Sequence, residues 1–255
     1  MLNVFSSIDQ LESVNSTNTY LLEKNIPGTA LAFTFHQTGG RGRENRVWKD
    51  FAGKNLALSV SFTSSEKEIP LWRIATLSIP LAEYLIELGV PDVWIKWPND
   101  IYTSDKKIAG VLAESVFSSG RITRIVAGIG ININITTDEL TSIDKKASSV
   151  FIETGREQNI KSFTEQYIKR LALTITRSSS PTYIRERWCD LSHMIGKEFL
   201  WESPHGVVQG KAVALNEDGT LVLETVHGSE TVTAGDITLK DVDLQTIGMF
   251  KKLAK

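Results

Sequence analysis

The spacing of apolar residues changes after Gly196, and this change most restricts the folds open to the chain. Before it, residues 71–88 and 160–177 carry apolar side chains at helical spacing, with strand-like segments between the helices. After it, short segments alternate apolar and polar residues between turns, a pattern typical of small all-β modules. The sequence therefore predicts an α+β domain at residues 1–190 and a small β-barrel domain at residues 191–255.

The composition and the N-terminal segment exclude several classes of protein. With 41% hydrophobic and 23% charged residues, the chain can bury a core. A net charge of -2 and a pI of about 6.1 disfavour a protein that coats nucleic acid. Cys189 is the only cysteine, which leaves no internal disulfide and no cysteine cluster for zinc. Because neither a secretory signal nor an apolar stretch of the ~20 residues that span a bilayer is present, we expect a soluble, cytoplasmic protein.

The segment from Gly39 to Trp48, called the Gly–Arg loop below, places three arginines among glycines and beside a tryptophan. Arginine offers a planar set of donors to phosphate or carboxylate oxygens, and glycine lets the backbone approach an anion closely. A dinucleotide-binding loop is excluded, because the third glycine is missing and a strand rather than a helix follows. The loop suits a nucleotide-like or acyl-phosphate ligand, and a solvated basic surface loop is the alternative.

Two further groups of polar residues lie in or next to predicted strands. The segment from Lys96 to Asp100 closes a short predicted strand, and a predicted hairpin at residues 101–117 would bring Lys107 beside Asp100. The alternative is a surface ion pair contributing under ~1 kcal/mol. The predicted strand at residues 121–135 contains Gly128 and Gly130, which allow a close approach. Asn132 and Asn134 follow on one face and are either edge residues or polar ligands.

Together these segments resemble the motifs of the biotin–protein ligases. The matching segments, in the order and spacing of that family, are Ser16-Thr17-Asn18, Gly40-Arg41-Gly42-Arg43 with Arg46 and Trp48, Lys96-Trp97-Pro98-Asn99-Asp100, Lys107-Ile108-Ala109-Gly110, Gly128-Ile129-Gly130-Ile131-Asn132 and Ala234-Gly235-Asp236-Ile237. The resemblance covers nearly the whole chain. It implies the short class of ligase, without an N-terminal DNA-binding domain.

The resemblance implies a fold and a two-step reaction. The fold would be a mixed β-sheet catalytic domain with flanking helices, of the biotin–lipoate ligase type related to class II aminoacyl-tRNA synthetases, followed by an SH3-like β-barrel. Biotin and MgATP would give biotinyl-5′-AMP and pyrophosphate. A lysine of a biotin-carrier domain, such as that of acetyl-CoA carboxylase, would then attack the acyl carbon. The expected cofactors are ATP and Mg²⁺. No nucleic-acid or membrane partner is expected. A homodimer is possible, because some members of the family dimerise through sheet edges.

The resemblance also assigns roles to individual residues. The catalytic residues would be Lys107, Arg43 and Asp100, with Asp100 either accepting the proton of the attacking amine or only orienting other groups. Biotin would be bound by Ser16, Thr17, Asn18, Gln37, Arg41, Gly42, Arg43, Lys107 and Gly110. ATP and the adenylate would be bound by Arg41, Arg43, Arg46, Trp48, Asn99, Lys107 and Asn132.

The Gly–Arg loop departs from the family at two positions. Asn45 stands where glycine is usual, and Glu44 lowers the local positive charge. Because asparagine tolerates positive φ, we expect Asn45 to adopt the left-handed conformation. We also expect the loop to be mobile until a ligand supplies the missing negative charge.

Two other functions are consistent with parts of the sequence. A lipoate or octanoate ligase of the same fold would bind an aliphatic chain without a ureido ring. Octanoyl transferases use a catalytic cysteine, whereas Cys189 lies outside the motifs and is interpreted as a structural thiol. A nucleic-acid binder would use the Gly–Arg loop and the barrel, and the acidic pI argues against it.

Overall fold

The computed structural model describes residues 3–24, 26–64, 71–98, 100–141, 143, 146–178, 181–203, 206–233 and 237–239. The strands are β1 (Ser7–Leu11), β2 (Ala30–Thr34), β3 (Asn55–Thr63), β4 (Val93–Lys96), β5 (Asp100–Thr103), β6 (Lys106–Ser118), β7 (Arg121–Asn132), β8 (Glu198–Ser203), β9 (Gly206–Leu215), β10 (Leu221–Thr225), β11 (Gly228–Val232) and β12 (Ile237–Leu239). The helices are α1 (Thr17–Glu23), α2 (Trp72–Glu87), α3 (Thr137–Leu140), α4 (Val150–Thr154), α5 (Ile160–Arg177) and α6 (Pro181–Ser192).

The first seven strands build a single sheet of order β1-β2-β3-β7-β6-β5-β4. β1 and β2 are parallel, and every other neighbouring pair is antiparallel, so the predicted mixed sheet is confirmed. The predicted hairpin is present as β5 and β6. It brings Asp100 opposite Gly110 in the register of the two strands.

Helices cover the two faces of this sheet unequally. Leu56, Leu58 and Val60 of β3 belong to the large core on which α2, α5 and α6 pack. The alternate residues of the neighbouring strand β2, Ala30 and Ala32, join a small cluster under α1. Since α1 has only seven residues, it covers part of its face and leaves the rest for a site.

The second sheet has the order β11-β10-β9-β8-β12 and is antiparallel throughout. Within the described residues it is open, with β11 and β12 as its edges. The matching segment at residues 234–236 lies outside the described residues. Phe199, Leu221 and Leu223 of this sheet belong to the same core as α2 and β4, so its apolar face packs against the first part of the chain. None of the helices among the described residues has the length and apolar composition needed to span a membrane.

Candidate functional site

A strip of small residues crosses the middle of the first sheet on the face that α1 only partly covers. Gly110 of β6 pairs with Gly130 of β7, which in turn pairs with Ala57 of β3. Ser59 of β3 pairs with Gly128 of β7 on the same face. Successive strand residues point to opposite faces, so these positions face away from α2. We call this strip the glycine trough; it leaves room for groups from above to lie directly on the backbone.

A buried polar network closes the end of the trough at the start of α1. Ser16 caps the helix, its hydroxyl accepting from the N–H of Thr19 at 3.4 Å. The backbone N–H of Thr17 donates to Oε1 of Gln37 at 2.8 Å, and the Thr17 hydroxyl lies 3.2 Å from the same oxygen. Ser16, Thr17 and Gln37 are all at most 9% exposed. Three of the predicted biotin-binding residues therefore meet in one place.

Asn18 lies in the same network, and its amide is engaged by protein groups. Its Nδ2 donates to the carbonyl of Leu112 at 3.2 Å and to Oε2 of Glu114 at 2.7 Å. Its Oδ1 accepts from the hydroxyl of Ser59 at 2.6 Å. A Cβ at Gly128 would lie 2.0 Å from this Oδ1. The glycine therefore makes room for Asn18, and both amide hydrogens of Asn18 are used inside the protein.

The Gly–Arg loop folds as a small hairpin beside the trough. The N–H of Gly42 donates to the carbonyl of Arg46 at 2.7 Å, and that of Trp48 donates to the carbonyl of Gly40 at 3.0 Å. The Arg41 guanidinium lies 3.2 Å from Oε1 of Glu114 and donates to the Thr19 hydroxyl at 3.1 Å. Glu114 thus joins the loop to α1 through two different side chains. The expected mobility of the loop without ligand stays a prediction.

The left-handed position of the loop falls on Glu44 instead of Asn45. Glu44 has φ 54° and ψ 33° inside the short 3-10 turn that starts at Arg43, so the expectation for Asn45 is wrong. Two interactions hold the turn in this form. The N–H of Arg46 donates to the carbonyl of Arg43 at 3.1 Å, and the Glu44 carboxylate pairs with the Arg46 guanidinium at 2.8 Å. The acidic side chain therefore neutralises one of the three arginines locally.

A cation, a carboxylate and an indole meet over the trough. Nζ of Lys107 lies 2.6 Å from Oδ1 of Asp100 and 5.5 Å from the centre of the Trp48 ring. A Cβ at Gly130 would lie 2.5 Å from Cε2 of Trp48, and one at Gly110 would lie 2.8 Å from Nζ of Lys107. The side chains of Lys107 and Asp100 are 28% and 18% exposed. The predicted Asp100–Lys107 pair is thus formed, half-buried and beside the trough rather than on the open surface.

The remaining predicted residues occupy different surroundings. Asn132 is buried, and its Nδ2 donates to the carbonyl of Ser148 at 3.0 Å. The N–H of Ser148 in turn donates to the carbonyl of Lys107 at 2.8 Å, which connects Asn132 to the site. Asn134 instead pairs with the backbone of Gln158. Arg43 is half-buried in the 3-10 turn, and Asn99 lies outside the described residues.

Sequence reasoning missed two members of the site, Ser59 and Glu114. Ser59 is fully buried and faces the same side of β3 as Ala57, and a buried hydroxyl requires a polar partner. Glu114 follows four residues after Gly110, on the same face of β6 by strand alternation. A search for polar residues at even spacing from the motif glycines would have found it.

Comparison with known proteins decides the family. The profile of the Biotin/lipoate A/B protein ligase family matches residues 10–132, and that of the Biotin protein ligase C terminal domain matches residues 195–240. The bifunctional ligase/repressor BirA of Bacillus subtilis is 31% identical over 244 residues, covering 91% of this chain and 72% of the relative. The chain belongs to the biotin/lipoate A/B protein ligase family. The resemblance stated from the sequence motifs is thereby confirmed.

Other members of this ligase family match over similar lengths. The biotin–[acetyl-CoA-carboxylase] ligase of Mycobacterium tuberculosis is 27% identical, covering 90% of this chain and 88% of the relative. Among solved structures, the biotin protein ligase from Aquifex aeolicus in complex with biotin and ATP matches with a TM-score of 0.73 and 27% identity. That match covers 92% of this chain and 99% of the Aquifex chain. The likeness therefore includes both sheets of the ligase.

Proposed function

We propose that this chain is a biotin–protein ligase that activates biotin with ATP and transfers it to a lysine of a carrier protein. The acceptor would be a biotin-carrier domain such as that of acetyl-CoA carboxylase. The observation that carries the proposal is the meeting of Lys107, Asp100 and Trp48 over a glycine trough that ends in a buried polar network. This arrangement joins a site for a slender, partly apolar molecule to a site for an anion.

The polar network suits the ureido ring of biotin. That ring is neutral, offers two N–H donors and one carbonyl acceptor, and needs a few fixed partners within an apolar pocket. Ser16, Thr17 and Gln37 supply hydroxyl and amide groups at the closed end of the trough. The rest of the molecule would lie along the trough near Gly110, with its carboxylate towards Lys107. Asn18 acts in this arrangement by shaping the pocket, because its amide is already engaged.

In the first step, a biotin carboxylate oxygen attacks the α-phosphorus of ATP, and the bond from that phosphorus to pyrophosphate breaks. Fixed cations favour this step because negative charge develops on the phosphate oxygens. Lys107, Arg41 and Arg43 would supply that charge, and Gly42 allows the loop backbone to approach the anion. Arg46, Trp48, Asn99 and Asn132 would hold the adenylate, with the Trp48 indole offering a face for stacking.

In the second step, the neutral amine of the carrier lysine attacks the acyl carbon, and AMP leaves. The amine must lose a proton, and a nearby carboxylate accepts it. Asp100 is the proposed acceptor. It is paired with Lys107 in the free protein, and engagement of Lys107 with phosphate would release it for this role.

Mg²⁺ enters the proposal with ATP. Among the described residues, no group of three or more His, Cys, Asp or Glu side chains gathers into a metal site. In that part of the chain the protein offers no dedicated cage, and Mg²⁺ would be held mainly by the phosphates of ATP, as is usual for this ion. Bound there, it would shield the charge of the leaving pyrophosphate.

Four further features belong to the same proposal. The catalytic domain would comprise residues 1–190 and the second domain residues 191–255, the latter forming an SH3-like barrel when its edges close. A cytoplasmic location suits an enzyme that needs ATP and a carrier protein. A homodimer would use an edge of the first sheet, where β1 and β4 lie outermost.

Exchange of labelled pyrophosphate into ATP tests the proposal. We expect exchange that depends on biotin and is not supported by lipoate or octanoate. Labelling of a purified carrier domain should then follow when the domain is added. Exchange supported by lipoate but not by biotin would replace the proposal with the aliphatic alternative, whereas exchange with neither acid would refute activation of these acids altogether.

A further inference from the structure

The corner between β4 and β5 carries Asp100, and the second sheet holds this corner from behind. The described residues of the corner are Trp97, Pro98 and Asp100, and Trp97 is only 2% exposed. The indole N–H of Trp97 donates to the carbonyl of Gly219 at 3.0 Å. Its backbone N–H lies 3.2 Å from Sδ of Met194. Trp97, three positions before Asp100, is therefore anchored to the C-terminal part of the chain through both its side chain and its backbone.

Gly219 lies in a turn between β9 and β10 that is itself tightly ordered. Oδ1 of Asp218 accepts from the N–H and the hydroxyl of Thr220 at 2.9 and 2.7 Å. Nδ2 of Asn216 donates to the same hydroxyl at 2.9 Å. Gly219 has φ +87°, a conformation that glycine adopts without strain. We call residues 216–220 the docking turn.

The docking turn packs on the start of α2 as well as on Trp97. The N–H of Leu71 donates to the carbonyl of Asp218 at 3.3 Å. A Cβ at Gly219 would lie 2.7 Å from Cβ of Leu71. The cavity left between the turn, Trp97 and α6 is about 20 Å³, room for about one water molecule. The turn can therefore not shift towards the catalytic domain without displacing Trp97 or Leu71.

We infer that the docking turn is a positioning element for the reaction: through the Gly219–Trp97 hydrogen bond, it sets the place of Asp100 and so of Lys107. Asp100 holds Lys107 at 2.6 Å and lies opposite Lys96 of β4 in the strand register. Because Lys96 directly precedes Trp97 in the sequence, a shift of Trp97 would be passed on to Asp100. The inference rests on the proposed ligase activity. It gives the second sheet a direct part in the arrangement of the catalytic groups.

Three substitutions separate positioning from general stability. Trp97→Phe keeps an aromatic ring in place and removes the N–H that reaches Gly219. Gly219→Ala introduces a strained φ and a collision with Leu71. Gly228→Ala is the matched control beside the next turn of the same sheet, at the first residue of β11. Gly228 has φ +114°, but a Cβ added there would meet no atom within 4 Å.

The kinetic readout is biotin-dependent pyrophosphate exchange, measured well below each variant's melting temperature. We expect kcat of Trp97→Phe and Gly219→Ala to fall roughly tenfold to a hundredfold, because misplacing a catalytic group by about 1 Å costs on the order of 100-fold. KM for biotin should change less than kcat, since Ser16, Thr17 and Gln37 belong to the start of α1 and the segment after β2 and not to the corner. Gly228→Ala should keep both constants. The pH profile of transfer from isolated biotinyl-5′-AMP should shift in Trp97→Phe, as the surroundings of Asp100 change.

Two results would overturn the inference in an active wild-type enzyme. One is a Trp97→Phe variant with wild-type kcat and pH profile; this variant decides the matter if Gly219→Ala does not fold. The other is an equal loss of kcat in Gly219→Ala and Gly228→Ala, which would reduce the effect to turn strain. Absence of biotin-dependent exchange in the wild type would instead refute the proposed function.

Discussion

Gly128 and Gly130 lie two residues apart on one face of β7, yet alanine at these positions should have different effects. A Cβ at Gly128 would lie 2.0 Å from Oδ1 of Asn18 and 2.8 Å from Oγ of Ser59. It would push Asn18 out of its three hydrogen bonds. A buried polar group left without a partner costs about 1–3 kcal/mol, while alanine recovers roughly 0.5–1 kcal/mol relative to glycine in a strand. Because more than one buried group loses its partner, we expect Gly128→Ala to lower the free energy of unfolding by roughly 2–4 kcal/mol.

Gly130→Ala serves as the matched variant. Its Cβ would meet the Trp48 ring, with 2.5 Å to Cε2. Trp48 is half-buried and belongs to the Gly–Arg loop, so it can move away without leaving buried polar groups unpaired. We expect the free energy of unfolding to change by less than about 1 kcal/mol. Activity should nevertheless fall, because the trough is narrowed and the indole displaced.

Thermal and urea unfolding, together with biotin-dependent exchange, measure both effects. For a chain of this size, 1 kcal/mol corresponds to about 2–4 °C in Tm, so Gly128→Ala should melt roughly 5–15 °C lower. A Gly128→Ala variant with wild-type Tm would show that Asn18 is free to adapt. A fully active Gly130→Ala variant would show that the trough beneath Trp48 is not used.

Three other substitutions probe single interactions. Lys107→Ala should abolish formation of biotinyl-5′-AMP. Its circular dichroism melt should stay near normal, because Lys107 is half-buried beside the trough and lies outside the apolar core. A variant that still forms biotinyl-5′-AMP would contradict this prediction. The hydrogen bond from Lys54 and, after it, those from Thr136 lower the pKa of Glu139 from 4.5 to about 2. The stability that Glu139 contributes is therefore present above its ordinary pKa and is lost as pH falls from 4.5 towards 2. Glu139→Gln should therefore flatten the acid-unfolding curve in that range, and an unchanged curve would exclude the ion pair as its cause. Tyr167→Phe removes a buried hydroxyl that donates to the carbonyl of Leu77 at 2.9 Å. The free energy of unfolding, measured in urea, should fall by about 1–2 kcal/mol, and kcat should not change. A lower kcat in the folded variant would argue against a purely structural role.

Local patterns were sufficient for many elements of the fold. The helix at residues 160–177 has the predicted bounds, because its apolar residues recur at a regular period along the chain. The hairpin that joins Asp100 to Lys107 followed from a short turn between two strands. The second sheet is open within the described residues, and its closure into a barrel stays a prediction, since closure depends on strand pairs that are distant in sequence.

The site was less accessible to sequence reasoning, because its contacts are long-range. Asn18 meets Ser59 and Glu114 across 41 and 96 residues, and only the register of β3, β7 and β6 brings them together. The motif glycines were correctly read as places of close approach, but their occupants, Asn18 and Trp48, could not be deduced. The left-handed conformation of Glu44 is accompanied by its pairing with Arg46, which general residue preferences do not include.

Two cations of the site are already paired with carboxylates of the protein. Arg41 is paired with Glu114, and Lys107 with Asp100. An anionic ligand that binds either cation therefore competes with a carboxylate of the protein. Such an exchange of one anion for another releases few ions into solution, so the affinity for the ligand should vary little with ionic strength. Small anions such as inorganic phosphate should compete poorly, because they make no other contacts that would help them to displace the carboxylate. Internal counter-ions thus make the site selective for a ligand that also fills the trough.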